Sequence, residues 1–370
     1  MGLLYDFVAF GMLAYSRAAF RVRSIAPDDF RFTPGTLIVT THRRETDVPV
    51  LCPPLYFHAR LWRERSALRM SFAARDDMFL PGFFAGFPPG LSPRARRLLY
   101  PLGVGRWLPA VDVHPIRSAS VAQLGELLRA DPAAPVEQIA PGAPAASFRT
   151  RAAELGRPAP VVGADVLRGE YADLLWTPVT AAEAPGPDAF WARRATEAAQ
   201  DFRALVEVVR SGGALVVFPE GRPSPDGEIG PIRRGLSALA RRGRAAELLP
   251  LTLAYDPLVR GRTVVVVSIG PAVPTPAADL ETEVLSLLRR RTALTCGQYV
   301  AARLTAGERP SATELADQVG AARAEGRPVD PALETPAGRE RRLAEALAEA
   351  PRREGELPFL AREYESARTS

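Results

Sequence analysis

The chain alternates short apolar runs with longer stretches of helical periodicity. Five runs have the length and the Val-, Leu-, Ile- and Thr-rich composition of buried strands; they are residues 37–41, 70–74, 214–218, 248–254 and 263–269. Arg- and Ala-rich stretches at 191–210 and 232–247 separate several of these runs and predict helices. This alternation predicts an α/β fold with a mixed, mostly buried sheet flanked by helices.

The first segment, residues 1–30, is apolar and aromatic at its start. Ten uncharged residues separate Asp6 from Arg17, which is short of the roughly 20 residues that a membrane-spanning helix needs. Because Arg21 and Arg23 follow, we predict an N-terminal interfacial helix whose aromatic face enters a membrane surface. A helix packed on the protein's own core fits the pattern equally well.

Three further segments complete the predicted organisation. Residues 31–280 form the main domain. Within it, residues 131–188 are dense in Pro, Ala and Gly and predict an insertion, part loop and part small subdomain. Residues 281–370 are helical and charged and predict a C-terminal extension, of which 331–370 resembles a surface tail.

The composition excludes several classes of function. All 47 basic residues are Arg, so neither a P-loop lysine nor a Schiff-base lysine exists. Residues 1–120 hold sixteen Arg and nine acidic residues, whereas the whole chain carries a net charge of +5. A basic first third suggests an anionic partner, such as a membrane surface, a nucleic acid or an acidic carrier. A solvated arginine-rich surface is the simpler alternative.

His42 and Asp47 follow the first predicted buried strand directly. The carboxyl edge of a sheet is where α/β proteins place their sites. On one continuous helix, residues five apart lie on different faces, but a turn between them can bring the carboxylate to the imidazole. Such a carboxylate fixes the tautomer and raises the basicity of the other ring nitrogen, as an alcohol-deprotonating base requires. Alternatively, Asp47 only caps the next helix and His42 is a loop residue.

A second group of residues, Phe218-Pro219-Glu220-Gly221, follows another predicted strand. Pro and Gly hold this turn rigid, so the glutamate is aimed and suited to binding substrate hydroxyls. A plain turn with a solvated Glu is the alternative.

Together, the two groups resemble the lysophosphatidate/glycerol-phosphate acyltransferase family. That family carries H-x4-D, an Arg-containing block, F-P-E-G with a downstream S-x-x-G and a basic-Gly pair, and then an apolar strand with Pro. The matching residues here, in the same order, are His42 and Asp47, the block 111–117, Phe218–Gly221, Ser224 and Gly227, Arg234-Gly235, and Leu249-Pro250-Leu251. The resemblance covers about residues 35–275.

The resemblance implies an O-acyltransferase with His42 as general base and Asp47 as its partner. The expected reaction is direct transfer of a fatty acyl group from acyl-CoA or acyl carrier protein to a glycerophospholipid-type acceptor such as lysophosphatidate. It implies no cofactor, and the three scattered histidines give no metal site. Cys52 lies near the motif and is an alternative nucleophile, although a buried structural thiol is the favoured interpretation.

The resemblance also assigns the acceptor site. Arg117 is expected to contact the acceptor's phosphate, and Glu220 and Gly221 to shape the acceptor site. Arg222 stands where the family usually has Thr; it is expected to serve a phosphate as a bidentate donor, and the departure leaves an unusual head group open.

The expected location is the cytoplasmic face of the cell membrane, as a peripheral or monotopic protein. Two other classes of function stay open. One is a catalytically inactive lipid- or membrane-binding protein on the same fold, which the Arg222-Pro223 departure favours. The other is a nucleic-acid binder, suggested by the pI of 9.6. No recognition motif supports the latter, so nucleic acid is not expected as a partner.

Overall fold

The computed structural model describes residues 3–27, 33–58, 70–86, 91–187, 189–276 and 278–368. The chain forms two compact units, one of residues 1–72 and 206–370 and the other of residues 73–205. The strands of the described residues are β1 (Arg21–Ile25), β2 (Thr36–Thr40), β3 (Met70–Arg75), β4 (Val113–Ile116), β5 (Val121–Gln123), β6 (Pro178–Thr180), β7 (Ala214–Val217), β8 (Glu247–Asp256), β9 (Val264–Ile269) and β10 (Val273–Pro274).

The helices of the described residues vary from one turn to about six turns. They are α1 (Leu3–Ala19), α2 (Asp47–His58), α3 (Phe83–Gly86), α4 (Pro93–Leu99), α5 (Leu124–Ala130), α6 (Val136–Ile139), α7 (Ala143–Glu154), α8 (Gly163–Val166), α9 (Ala172–Leu175), α10 (Phe190–Arg210), α11 (Gly235–Gly243), α12 (Leu280–Arg291), α13 (Cys296–Thr305), α14 (Ala312–Ala324), α15 (Pro336–Glu349) and α16 (Leu357–Ser366).

In the first unit the strands follow the order β1-β9-β8-β2-β7-β3. The central strands are parallel: β2 pairs with β7 on one side and with β8 on the other, and β3 pairs with β7. The hairpin partner β9 is antiparallel to β8. Every residue of β2, β7 and β9 is buried, as expected of apolar strands covered on both faces. The predicted fold class, a mixed and mostly buried sheet flanked by helices, is confirmed.

All five predicted strands are present, with ends that differ by at most two residues. The predicted helix at 191–210 is α10. The helix predicted over 232–247 is shorter, because α11 ends at Gly243 and Arg244 adopts a left-handed backbone with φ of 54°. That residue terminates the helix and lets β8 begin at Glu247.

The C-terminal helices form a core of their own within the first unit. Leu343, Leu360 and Tyr364 are buried there against residues of α13 and α14. The predicted helical C-terminal segment is therefore confirmed. The expectation that 331–370 lies on the surface is wrong, because one face of α15 and of α16 is apolar and is covered by neighbouring helices.

The second unit has a separate apolar core, to which α5, α6, α7 and α9 contribute. The Pro- and Gly-rich region 131–188 lies within this unit and contains the short helices α6 to α9 and strand β6. Phe148 and Tyr171 are buried in its core with their rings 5.9 Å apart.

Helix α1 buries one face and exposes another. Tyr5 and Ala9 are buried, and Tyr5 donates a hydrogen bond to the carbonyl of Met70. Leu3, Phe7 and Phe10, spaced as neighbours on one helical face, are 86%, 74% and 55% exposed. No helix in the described part of the chain is both long and apolar enough to cross a membrane.

Candidate active site

The strand register brings the two sequence motifs to one edge of the sheet. Val39 of β2 pairs with Val217 of β7, and Thr40 pairs with Leu251 of β8. Because these strands are parallel, the residues that follow β2 and β7 emerge side by side at their carboxyl ends. His42 therefore lies next to Phe218, with 4.4 Å between the ring centroids.

His42 and Asp47 form a hydrogen-bonded pair. A turn over residues 45–46 separates the end of β2 from α2, and it brings Oδ2 of Asp47 to 2.9 Å from Nδ1 of His42. The side chain of Asp47 is fully buried, and that of His42 is 12% exposed. The turn thus produces the contact that five residues of continuous helix would prevent.

The other contacts of Asp47 fix the tautomer of His42. Its Oδ2 also accepts hydrogen bonds from the backbone N–H groups of Arg43, at 2.6 Å, and Arg44, at 3.0 Å. Its Oδ1 accepts one from the hydroxyl of Tyr255, at 2.8 Å. Backbone N–H groups can only donate, so Oδ2 of Asp47 is an acceptor, and Nδ1 of His42 is assigned as a further donor to it. Nε2 is then the unprotonated nitrogen that can accept a proton.

Glu220 braces the backbone of this loop. Its Oε1 accepts a hydrogen bond from the N–H of His42 and its Oε2 accepts one from the N–H of Gly230, both at 2.9 Å. The side chain is nearly fully buried. Burial raises the pKa of the Glu220 carboxyl, and the nearby Arg43 and the two N–H groups act in the opposite direction. Both oxygens are used to hold protein backbone.

The rest of the second motif surrounds His42 in a similar way. The N–H of Ser224 donates to the carbonyl of His42, at 2.8 Å, and the N–H of Gly227 donates to Oγ of Ser224, at 2.9 Å. Gly221 has a positive φ of 75°, and a Cβ there would collide with the side chain of Arg233. This position therefore requires glycine.

Gly221 and Arg222 are both exposed, directly after the buried Glu220. Within the described ranges, the guanidinium of Arg222 makes no hydrogen bond or ion pair. A free cation on this loop is suited to binding an anionic group from solution.

Arg117 belongs to the second unit, where it follows β4. Its Nη1 is 2.9 and 3.0 Å from the two carboxylate oxygens of Asp201, and Nε is 3.6 Å from Glu197 and 4.0 Å from Asp76. Burial raises the pKa of Asp201, and Arg117 opposes that shift. In this arrangement, Arg117 serves neighbouring carboxylates.

Sequence reasoning missed two residues of the site. Tyr255 is the penultimate residue of the apolar strand β8, where the sequence pattern does not distinguish it from a core aromatic, yet its hydroxyl contacts Asp47. Arg43 lies between the two named residues of the H-x4-D motif, and its side chain is buried. The sign of this role in the sequence is a charged residue directly after the proposed base.

Comparison with known proteins supports the resemblance to acyltransferases. A family model described as acyltransferase matches residues 171–268, a range that includes Glu220 and Tyr255 and not His42 or Asp47. The predicted resemblance to acyltransferases is thereby confirmed for that part of the chain. A search of curated proteins found no match.

Three solved chains are similar to this protein, and one of them is an acyltransferase. It is the 1-acyl-sn-glycerophosphate (LPA) acyltransferase PlsC from Thermotoga maritima, with 13% identity and a TM-score of 0.37, covering 77% of this chain and 78% of that one.

Proposed function

We propose that this protein is an O-acyltransferase that moves a fatty acyl group from a thioester to a hydroxyl of a glycerophospholipid-type acceptor. The observation that carries the proposal is the His42–Asp47 pair, with Nδ1 committed to a buried carboxylate at 2.9 Å. The acyltransferase match over residues 171–268 supports the reaction class. The partly exposed ring leaves Nε2 as the base.

In the proposed reaction, Nε2 of His42 removes the proton from the acceptor hydroxyl as its oxygen attacks the thioester carbonyl carbon. The C–O bond forms, and the carbonyl oxygen takes the negative charge, which backbone N–H groups at the sheet edge stabilise. The C–S bond then breaks, and the imidazolium returns the proton to the thiolate. Asp47 stabilises the imidazolium throughout, as a carboxylate does in a catalytic triad.

Acceptor recognition is assigned to Arg222. Its exposed guanidinium follows Glu220 directly, and a planar guanidinium binds a phosphate through two parallel hydrogen bonds. A phosphate role for Arg117 stays a prediction, since the guanidinium would first have to exchange Asp201 for the substrate.

We also propose that α1 places the enzyme on a lipid surface. Leu3, Phe7 and Phe10 expose an apolar face, and Arg17 and Arg21 supply positive charge for anionic head groups. Arg23 pairs instead with the buried Asp330. An acceptor with a long acyl chain is dissolved in the membrane, so binding of α1 to the lipid surface brings the active site close to the acceptor.

The decisive experiment measures thiol release from acyl-CoA, and from acyl carrier protein loaded with the same acyl group, over a panel of lyso-acceptors. We expect acceptor-dependent release that falls by about 10² to 10⁴ in His42→Ala, since general-base catalysis contributes that much. The melting temperature serves as the folding control. Absence of acceptor-dependent release with both donors would refute the proposal and favour a lipid-binding protein.

Membrane association is tested by flotation with anionic vesicles. We expect Phe7→Ser with Phe10→Ser to abolish flotation, because each change removes an aromatic side chain that lipid would bury. The matched control is Leu347→Ser, which alters a partly exposed apolar residue elsewhere in the same unit. Equal flotation of wild type and the double variant would refute the role of α1.

A further inference from the structure

The side chain of Arg43, next to the proposed base, is held by the C-terminal helices. Its Nε lies 3.1 Å from Oε1 of Glu363 in α16, and the two side chains are 1% and 0% exposed. Its Nη1 donates a hydrogen bond to the carbonyl of Gly227, at 2.7 Å. One buried guanidinium thus joins the His42 loop, the second motif loop and α16.

Glu363 is itself fixed. Its second oxygen accepts a hydrogen bond from Nε2 of Gln298 in α13, at 2.9 Å, and Gln298 is fully buried. The carboxylate cannot follow Arg43 if the loop moves, because its other contact belongs to a packed helix. The ion pair therefore transmits the position of the C-terminal core to Arg43.

Two more contacts join residues 356–363 to the loops that carry the two motifs. Arg44 pairs with Glu356, with 2.9 Å between Nη2 and Oε2. Gly227 has a φ of 91°, and a Cβ there would collide with the carbonyl oxygen of Phe359. Residues 356–363 consequently contact both motif loops within two helical turns.

We infer that residues 356–363 are a positioning element of the active site, in which Glu363 acts on the His42–Asp47 pair through Arg43. The kinetic test of this inference rests on the proposed acyl transfer.

A mechanism follows from the charges around Arg43. Arg43 attracts Glu220 electrostatically as well as Glu363: burial raises the pKa of both carboxyls, and the positive charge of Arg43 opposes that shift in each. When Glu363 is neutral, the guanidinium of Arg43 loses its ion-pair partner, and Glu220 is the other carboxylate that attracts it. Glu220 holds the N–H of His42, so its displacement shifts the base without unfolding the core.

The test compares Glu363→Gln with the matched variant Asp256→Asn. Asp256 is also a fully buried carboxylate, paired with Arg342 at 2.9 Å and bonded to the N–H of Gly297 in α13. Neighbouring strand residues point to opposite faces, so Asp256 points away from Tyr255 and from the site. Each substitution removes a buried negative charge that is paired with an arginine of the same unit.

We expect kcat to fall by about 10- to 100-fold in Glu363→Gln with KM changed less than about twofold. Asp256→Asn is expected to retain kcat within about twofold, even where it lowers the melting temperature as much. Equal kcat values for the two variants would overturn the inference.

A second readout does not depend on activity. The chain has three histidines, so the ring signals of His42 in ¹⁵N-histidine-labelled protein can be assigned with a His42→Asn variant. The Nδ1–H signal of His42 should shift or broaden in Glu363→Gln and stay unchanged in Asp256→Asn. A wild type without acyl transfer but with this response would refute the proposed function alone; an unchanged signal would overturn the positioning role.

If Glu363→Gln fails to fold, Glu356→Gln provides the same comparison. Its pair with Arg44 is about one third exposed on each side, so its loss has little effect on stability. A fall in kcat of about threefold or more, with an unchanged melting temperature, is expected from a weakened ion pair. An unchanged kcat would overturn the inference.

Discussion

The hydroxyl of Tyr255 donates a hydrogen bond to Asp47, with 2.8 Å between Oη and Oδ1, and both side chains are buried. Burial, and next the charge of Asp47, raise the pKa of Tyr255 well above its ordinary value. The phenol therefore keeps its proton and remains a donor. With the two backbone N–H groups on Oδ2, this bond orients the carboxylate toward His42.

Tyr255→Phe is expected to lower kcat by about tenfold, since a hydrogen bond to a charged group contributes about 1.5–3 kcal/mol. KM should not change, because Tyr255 contacts Asp47 and not the substrate. Steady-state kinetics with saturating donor measure this. An unchanged kcat would show that the backbone N–H groups alone orient Asp47.

Glu220→Gln tests whether this residue holds the loop. A glutamine side chain has one acceptor oxygen, so its NH₂ group would face either the N–H of His42 or that of Gly230. We expect kcat to fall by about 10- to 100-fold from the lost charged hydrogen bond. Glu228→Gln, an exposed residue on the same loop, is the matched control and should match wild type. Equal kcat values for Glu220→Gln and Glu228→Gln would contradict the role of Glu220 in holding the His42 loop.

Cys52→Ala distinguishes direct transfer from an acyl-enzyme. Burial raises the pKa of the Cys52 thiol to about 12, so the reactive thiolate is scarce at neutral pH. The variant should keep kcat within about twofold of wild type. Complete loss of turnover in a folded Cys52→Ala protein would require a covalent intermediate on sulfur.

The buried Glu363 predicts a specific dependence of stability on pH. Burial raises the pKa of this carboxyl above its ordinary value of 4.5, and Arg43 opposes the shift. The folded protein thus binds this proton more tightly than the unfolded chain. The stability that protonation contributes is fully present below pH 4.5 and is lost as the pH rises through the raised pKa.

Glu363→Gln removes this titration. The melting temperature of wild type minus that of the variant should therefore be largest near the ordinary pKa and decrease as the pH increases toward neutrality. Thermal unfolding of both proteins in the same buffer series measures the difference. A difference that grows with pH would mean that the pair with Arg43 depresses the pKa of Glu363.

The sequence by itself determined the strands, the fold class and the two motifs. Apolar runs buried on both faces leave a clear pattern, and the positions of His42 and Glu220 directly after such runs placed them at a sheet edge. The family resemblance assigned Asp47 as the partner of His42, whereas the pattern alone also allowed a helix cap; the contact between them is seen in the structure.

Only the tertiary structure decided what surrounds the pair. Tyr255 reaches Asp47 because β8 lies beside β2 in a particular register, and Glu363 reaches Arg43 because α16 returns to the sheet edge from the far end of the chain. Hydrophobic pattern records whether a residue is buried, not which distant residue it meets. For a buried polar side chain the partner determines its role, and strand register and helix packing choose that partner.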